Sequence, residues 1–192
     1  MQKIREEANP NHSGYEPYNY FLSVIFPHDE MQILDYNRVA KDLNGFTEEQ
    51  FHESINENFD VVPIPHPPSP ISKNNYSMHI NGKWYQLEAK THVKSDDPVE
   101  ALEASILQKY LLTPILDIDD PRTNKRIDFV GGIRGMVELE RRCEIDCQVA
   151  FALPPVSIEQ LLSVADSGQV MPPKSTWFEP KLRSGMVVRL LD

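Results

Sequence analysis

Asn81-Gly82 stands between two alternating runs, Tyr76-Ser77-Met78-His79-Ile80 and Lys83-Trp84-Tyr85-Gln86-Leu87. Both turn residues accept positive φ, as a two-residue primed turn requires, so the runs are expected to form a tight antiparallel hairpin. Strands and helices interleave around it. Residues 1–8 read as the end of a helix, stopped by Asn9-Pro10-Asn11 and Ser13-Gly14. Tyr18–Phe26 is an aromatic and β-branched run that predicts a buried strand, with Met31–Tyr36 as its hairpin partner. Thr47, with Gln50 three residues later, predicts a capped helix running to about Phe59. Pro63, Pro65, Pro67, Pro68 and Pro70 then rule out a helix or a central strand. That segment is an ordered arm or a linker.

Asp96-Asp97-Pro98 predicts a helix to about Leu112, with acids at the positive end of its dipole and Pro98 near the first turn. The remainder alternates: Arg126–Val130 as strand, Gly135–Arg142 as helix, Gln148–Leu153 as strand, Ser157–Ala165 as helix, Met186–Leu191 as strand. Ser157 and Gln160 form a second capping box. The expected fold is α+β, a mixed sheet with a β-hairpin and several flanking helices. It is read as one domain over residues 1–192, with a sub-division at the proline-rich arm near 60–75.

A net charge of −10 argues against nucleic acid as a partner, because phosphate neutralisation needs clustered Lys and Arg. No apolar run approaches the roughly 20 residues that span a bilayer, and the charged N-terminus has no signal-peptide core. A cytoplasmic location away from membranes is expected. Cys143 and Cys147, four apart, lack the spacing of redox or zinc motifs and read as ordinary thiols. The histidines show no metal-binding spacing. Asp117, Asp119 and Asp120 read as an acidic surface turn rather than a Mg²⁺ site, so no metal ligands are assigned.

Three segments carry groups suited to chemistry. Met171–Gly185 packs Lys174, Lys181 and Arg183, the hydroxyls of Ser175 and Thr176, and the pair Trp177-Phe178 between prolines and a glycine. Cations and hydroxyls suit a phosphate, and an aromatic ring suits a base or the core. A structural crossover explains the same residues equally well. Lys125–Gly135 reads as strand, glycine turn and helix, where backbone amides and Arg134 could meet an anion. Glycines that only shape a tight connection are the simpler reading. In Asp35–Gly45, Asp35 could act as a base and Arg38 as an anion clamp, although a capped turn with a solvated ion pair needs neither role.

Taken together, Tyr20–Pro27, Asp35–Val39, Lys41–Gly45, Asp97–Leu102, Arg126–Gly135 and Met171–Gly185 resemble, in order, domain-of-unknown-function family 1015. Full-length members are about twice as long. Their N-terminal half carries a GHHR motif similar to the phosphate-handling loop of the ParB/sulfiredoxin superfamily, which includes kinases of free serine. The resemblance implies a nucleotide-dependent phosphotransferase for a small molecule, with free serine as a candidate, using ADP or ATP and Mg²⁺. On that reading the residue types above place Asp35 and Arg38 at the substrate, and Arg134, Lys174, Ser175, Thr176, Trp177, Lys181 and Arg183 at the nucleotide. This sequence has no GHHR, so the expectation is a C-terminal half, inactive alone, whose partner is the other half or a second copy of itself. The competing expectation is a non-catalytic domain that binds a small polar metabolite or a protein.

Overall fold

The computed structural model of the chain describes residues 2–25, 27, 30–68, 71–181, 185 and 188. Arg183 lies outside them, and so does the strand expected at Met186–Leu191, apart from Val188. The chain divides into two compact units, 1–32 with 180–192, and 33–179.

In the first unit, helix α1 (Gln2–Ala8) ends at the expected Asn9-Pro10 stop. Past it, the Glu16 carboxylate accepts hydrogen bonds from the Ser13 amide (2.6 Å), the Gly14 amide (2.9 Å) and Asn19 Nδ2 (2.9 Å), winding the chain into a tight turn. The strand expected at Tyr18–Phe26 does not form among the described residues. Its first two residues belong to a 3₁₀ turn, Pro17–Asn19, and residues 20–25 have no regular structure. Phe21 is 84% exposed and Ile25 90%. β-propensity describes a side chain's fit to a pleated surface, and no described strand pairs with these residues to provide one. Met31–Tyr36 therefore has no hairpin partner there. Strand β1 (Gln32–Leu34) pairs instead with β8 (Trp177–Glu179).

The second unit is built on a six-stranded sheet. Its strands are β2 (Tyr36–Ala40), β3 (Phe59–Ile64), β4 (Asn75–Ile80), β5 (Lys83–Ala89), β6 (Ile127–Gly131) and β7 (Val149–Ala152). Their spatial order is β3-β5-β4-β7-β2-β6. The α+β class, with its β-hairpin and flanking helices, is as expected, and among the described residues the strand pairings within this sheet are antiparallel. Asn81 (φ 50°) and Gly82 (φ 71°) turn β4 into β5 as their conformational freedom predicts. Pro63 lies on β3, the edge strand, where its missing N–H removes no ladder bond on the open side.

Helix α2 (Glu48–Ile55) carries the full Thr47–Gln50 capping box, and α5 (Ile158–Asp166) the Ser157–Gln160 box. The first helix is shorter than expected, because Phe59 opens β3. The helix expected from Asp96 starts late. Asp97 Oδ1 accepts the amides of Val99 and Glu100, both at 2.9 Å, and closes a turn, with Leu102 extended after it. Helix α3 (Glu103–Leu107) follows and widens into a π-helical turn over Gln108–Leu112.

Strand alternation divides the core. Ala40, Met78, Leu87, Ile127 and Phe151 face α2 and α3, with Leu107 and Leu111 among their neighbours. Val39, Val130, Ala150 and Ala152 face α4 (Gly135–Ile145) through Leu139. Cys143 and Cys147 do not share a helix face over a full turn, since α4 ends at Ile145. Both thiols are free, and burial pushes that of Cys143 up to about 12.

His79 also lies toward α4, its ring 4.8 Å from that of Trp84, and its buried Nδ1 has no hydrogen-bond partner among the described residues. Desolvation holds the imidazole below its ordinary value, against the pull of Glu140 and Glu144. A histidine kept neutral by the fold binds a proton more readily once unfolded. Stability is therefore expected to fall as the pH drops through the unfolded value of about 6.5. His79→Gln should flatten that decline in urea melts between about pH 7 and 5, whereas an unchanged slope would exclude His79 as its source.

Candidate functional site

β2 lies between β7 and β6 and is paired along both edges, and its residues 37–40 are buried. Asn37 (0% exposed) points toward α4, and Arg38 (5%) toward the α3 side, opposite Phe129 and Phe151. Asn37 Oδ1 accepts the Leu153 amide at 2.9 Å, and its Nδ2 donates to the Asp35 carboxylate. That carboxylate also packs on Gly132, whose amide donates to the Asp35 carbonyl at 2.8 Å.

Arg38 is the unusual member. Its Nη1 donates to the Tyr36 carbonyl and its Nη2 to the Lys174 carbonyl at 3.3 Å. Among the described residues no carboxylate lies within 4.0 Å of it. Desolvation lowers its pKa to about 10, an effect that Tyr76 and Tyr36 only partly oppose. Carbonyl dipoles orient the guanidinium without neutralising it. A buried cation in that state favours any anion that can reach it.

Access exists. Arg38 lines a cavity of about 570 Å³, walled by Val99 and Ala104, by Ser105 and Gln108, and by Pro121, Pro172 and Pro173. Two ion pairs also line it, Lys109 Nζ with Glu100 at 3.1 Å and Arg122 Nη2 with Asp120 at 2.9 Å. Gln108 and Lys109 belong to the π-helical turn, a distortion that often accompanies functional sites. Its lining mixes five apolar residues with Ser105, Gln108 and six charged side chains, of which only Arg38 is buried, and its volume falls in the range of small-ligand sites.

The 171–179 segment meets β2 and β6 at the same end of the sheet. Lys174 (φ 58°) places its Nζ 5.7 Å from the centroid of each of the Tyr36 and Phe129 rings and 3.4 Å from the Tyr36 hydroxyl. Ser175 is buried, and its hydroxyl donates to the Pro172 carbonyl at 2.8 Å, which shapes the loop. The Trp177 ring covers Gly131 and meets Tyr36 edge-on at 5.3 Å, while its Nε1 donates to Glu179 at 2.7 Å. Thr176, between them, is half-buried.

The structure thus brings Asp35, Arg38, Lys174, Ser175, Thr176 and Trp177 to one end of the sheet. Arg134 is exposed on the turn before α4 and faces Glu138 at 3.7 Å. Lys181 belongs to the other unit. Gly131 and Gly132 have ordinary φ and are needed for space, since a Cβ would stand 2.6 Å from the Trp177 ring at one and 1.9 Å from Asp35 Oδ1 at the other. Reasoning from the sequence missed Tyr36, Asn37 and Phe129. The one available signal was Asn37, a poor strand former inside a strand.

Known proteins give the following context. The family model of a protein of unknown function (DUF1015) matches residues 1–105. No curated protein matches the chain. Solved structures similar to it include a free serine kinase in complex with AMP (12% identity, TM-score 0.48, 78% of this chain and 54% of that one). Another is a mutant free serine kinase in complex with ADP (14% identity, TM-score 0.47, 81% and 58%). A third is a conserved hypothetical protein from Pyrococcus furiosus (12% identity, TM-score 0.45, 77% and 56%). The chain spans little more than half the length of each. With more than half of its residues matched by the family model, this chain belongs to the DUF1015 family.

Proposed function

We propose that this chain binds a small anionic metabolite at Arg38 and serves as the anion-holding part of a small-molecule phosphotransferase. The observation that carries the reading is the buried Arg38 guanidinium at the cavity, oriented by two carbonyls and matched by no described carboxylate. Phosphoryl transfer is governed by positioning and charge stabilisation, so a preset cation is a useful part for it. The class of reaction rests on the family resemblance, with free serine as the candidate acceptor and ADP or ATP as the nucleotide.

Arg38 and Lys174 suit the phosphate end of a nucleotide. Trp177 fits a base poorly, because one face of its ring already covers Gly131. Among the described residues no three His, Cys, Asp or Glu side chains are grouped to hold a metal. Mg²⁺ would then enter on the nucleotide's own phosphates, as is usual for that ion.

A second reading, binding without catalysis, is favoured by Asp35. Its carboxylate is engaged by Asn37 and pressed on Gly132, so it is poorly placed to act as a free base.

Thermal shifts with phosphate, ADP, ATP and serine, each with and without Mg²⁺, test the proposal. A saturable stabilisation of about 2.7 kcal/mol at a hundredfold excess over Kd is expected for at least one anion. A folded chain that none of them stabilises would overturn the anion site. Binding without phosphate transfer, even with a GHHR-bearing partner segment present, would favour the second reading.

A further inference from the structure

Arg38 is not the only cation here that lacks a described acid. Lys174 also has no described carboxylate within 4.0 Å, and its ammonium is held by ring faces and a phenol instead. The two charges share one ring. The centroid of Phe129 is 5.8 Å from the Arg38 guanidinium carbon and 5.7 Å from Lys174 Nζ. They are also tied through the backbone, since Arg38 donates to the carbonyl of Lys174 itself. Lys174 directly follows Pro172-Pro173, two of the residues that wall the cavity. Its left-handed φ of 58°, uncommon for a residue with a side chain, belongs to the turn that the Ser175–Pro172 hydrogen bond shapes.

We infer that Arg38 and Lys174 form one subsite for a doubly charged phosphate monoester, selected over singly charged carboxylates. This rests on the anion-binding reading of Arg38 and adds the charge of the ligand to it. Two like charges beside one ring repel each other, and an aromatic face compensates a cation only in part. A carboxylate leaves one of them unmatched, whereas a phosphate dianion matches both. The cations that line the cavity contribute little to this choice, because Lys109 and Arg122 are already neutralised by Glu100 and Asp120. Asp119, also lining the cavity, is exposed like Lys174, so solvent screens both of these charges, while that of Arg38 is buried.

Charge can be varied without changing the shape of the ligand. A phosphate monoester loses its second proton near pH 6, so it is mainly dianionic at about pH 7.5 and monoanionic at about pH 5. Acetate carries one charge at most. Calorimetric titration of the wild type is expected to show methyl phosphate bound about tenfold or more tightly than acetate at about pH 7.5, an advantage lost at about pH 5. Lys174→Met, at an exposed position, should bring methyl phosphate down to the acetate level and leave acetate affinity within about twofold. If acetate competes equally in the wild type, or Lys174→Met binds methyl phosphate as before, the paired subsite is wrong while Arg38 stands as an anion site. If neither anion binds the folded wild type, both readings fall.

Discussion

Replacing Arg38 with methionine is expected to abolish binding of methyl phosphate while leaving the ligand-free protein close to its original stability. A buried ion without a counter-ion costs several kcal/mol in lost hydration, and Arg38 is 5% exposed. Its hydrogen bonds to the Tyr36 and Lys174 carbonyls return about 1.5–3 kcal/mol each, as bonds to a charged donor do. These effects nearly offset one another. Methionine fills similar space with no charge to desolvate, although it leaves two carbonyls short of a donor. The net change should stay within about 2 kcal/mol of zero. Urea melts give the stability and calorimetry the binding. A loss above about 3 kcal/mol would instead mark the guanidinium as a structural strut. The combination of lost binding and retained stability is characteristic of a residue kept for a ligand.

Gly132→Ala should destabilise the protein by about 1–3 kcal/mol, the usual range for overpacking. An added Cβ would stand 1.9 Å from Asp35 Oδ1 and 2.4 Å from its Cγ. The carboxylate would have to swing away and release Asn37, whose own oxygen receives the buried Leu153 amide. The disturbance thus passes from β6 through β2 to the end of β7. Removing the obstruction separates this cause from a general backbone effect. In Asp35→Ala/Gly132→Ala the alanine at 132 should cost at least 1 kcal/mol less than it does alone, as expected for residues in direct contact. Urea melts of the two single variants and the double variant supply the comparison. Strict additivity would place the strain in the backbone rather than against Asp35.

Elements legible from sequence were those determined by chemistry close along the chain. Thr47 with Gln50, Ser157 with Gln160, and Asn81 with Gly82 each contain both partners of their own interaction within a few residues. Tyr18–Phe26 misled for the opposite reason. Its composition suits a strand, but a strand also needs a neighbour, and residues 20–25 have none among the described residues. The Asp96–Leu112 helix failed at its start because Asp97 caps a turn with the same side-chain chemistry that can open a helix.

The candidate site divides in the same way. Residue types alone marked Arg38 and Lys174 as groups able to meet an anion, Asp35 as a candidate base, and the glycine pair as a place of close approach. Composition and charge likewise argued against a general nucleic-acid binder. What sequence could not supply was which charges would lack a counter-ion. That depends on burial and on the positions of acids far away in the chain: Arg126 finds Asp42 across 84 residues, while Arg38 finds two carbonyls and the Phe129 ring but no carboxylate among the described residues. Tertiary structure decided that Arg38 lies beneath a cavity, that Lys174 rests on Tyr36 and Phe129, and that Gly131 and Gly132 make room for Trp177 and Asp35. Hydration and charge pairing are properties of the folded surface, and a sequence fixes them only through the packing that creates that surface.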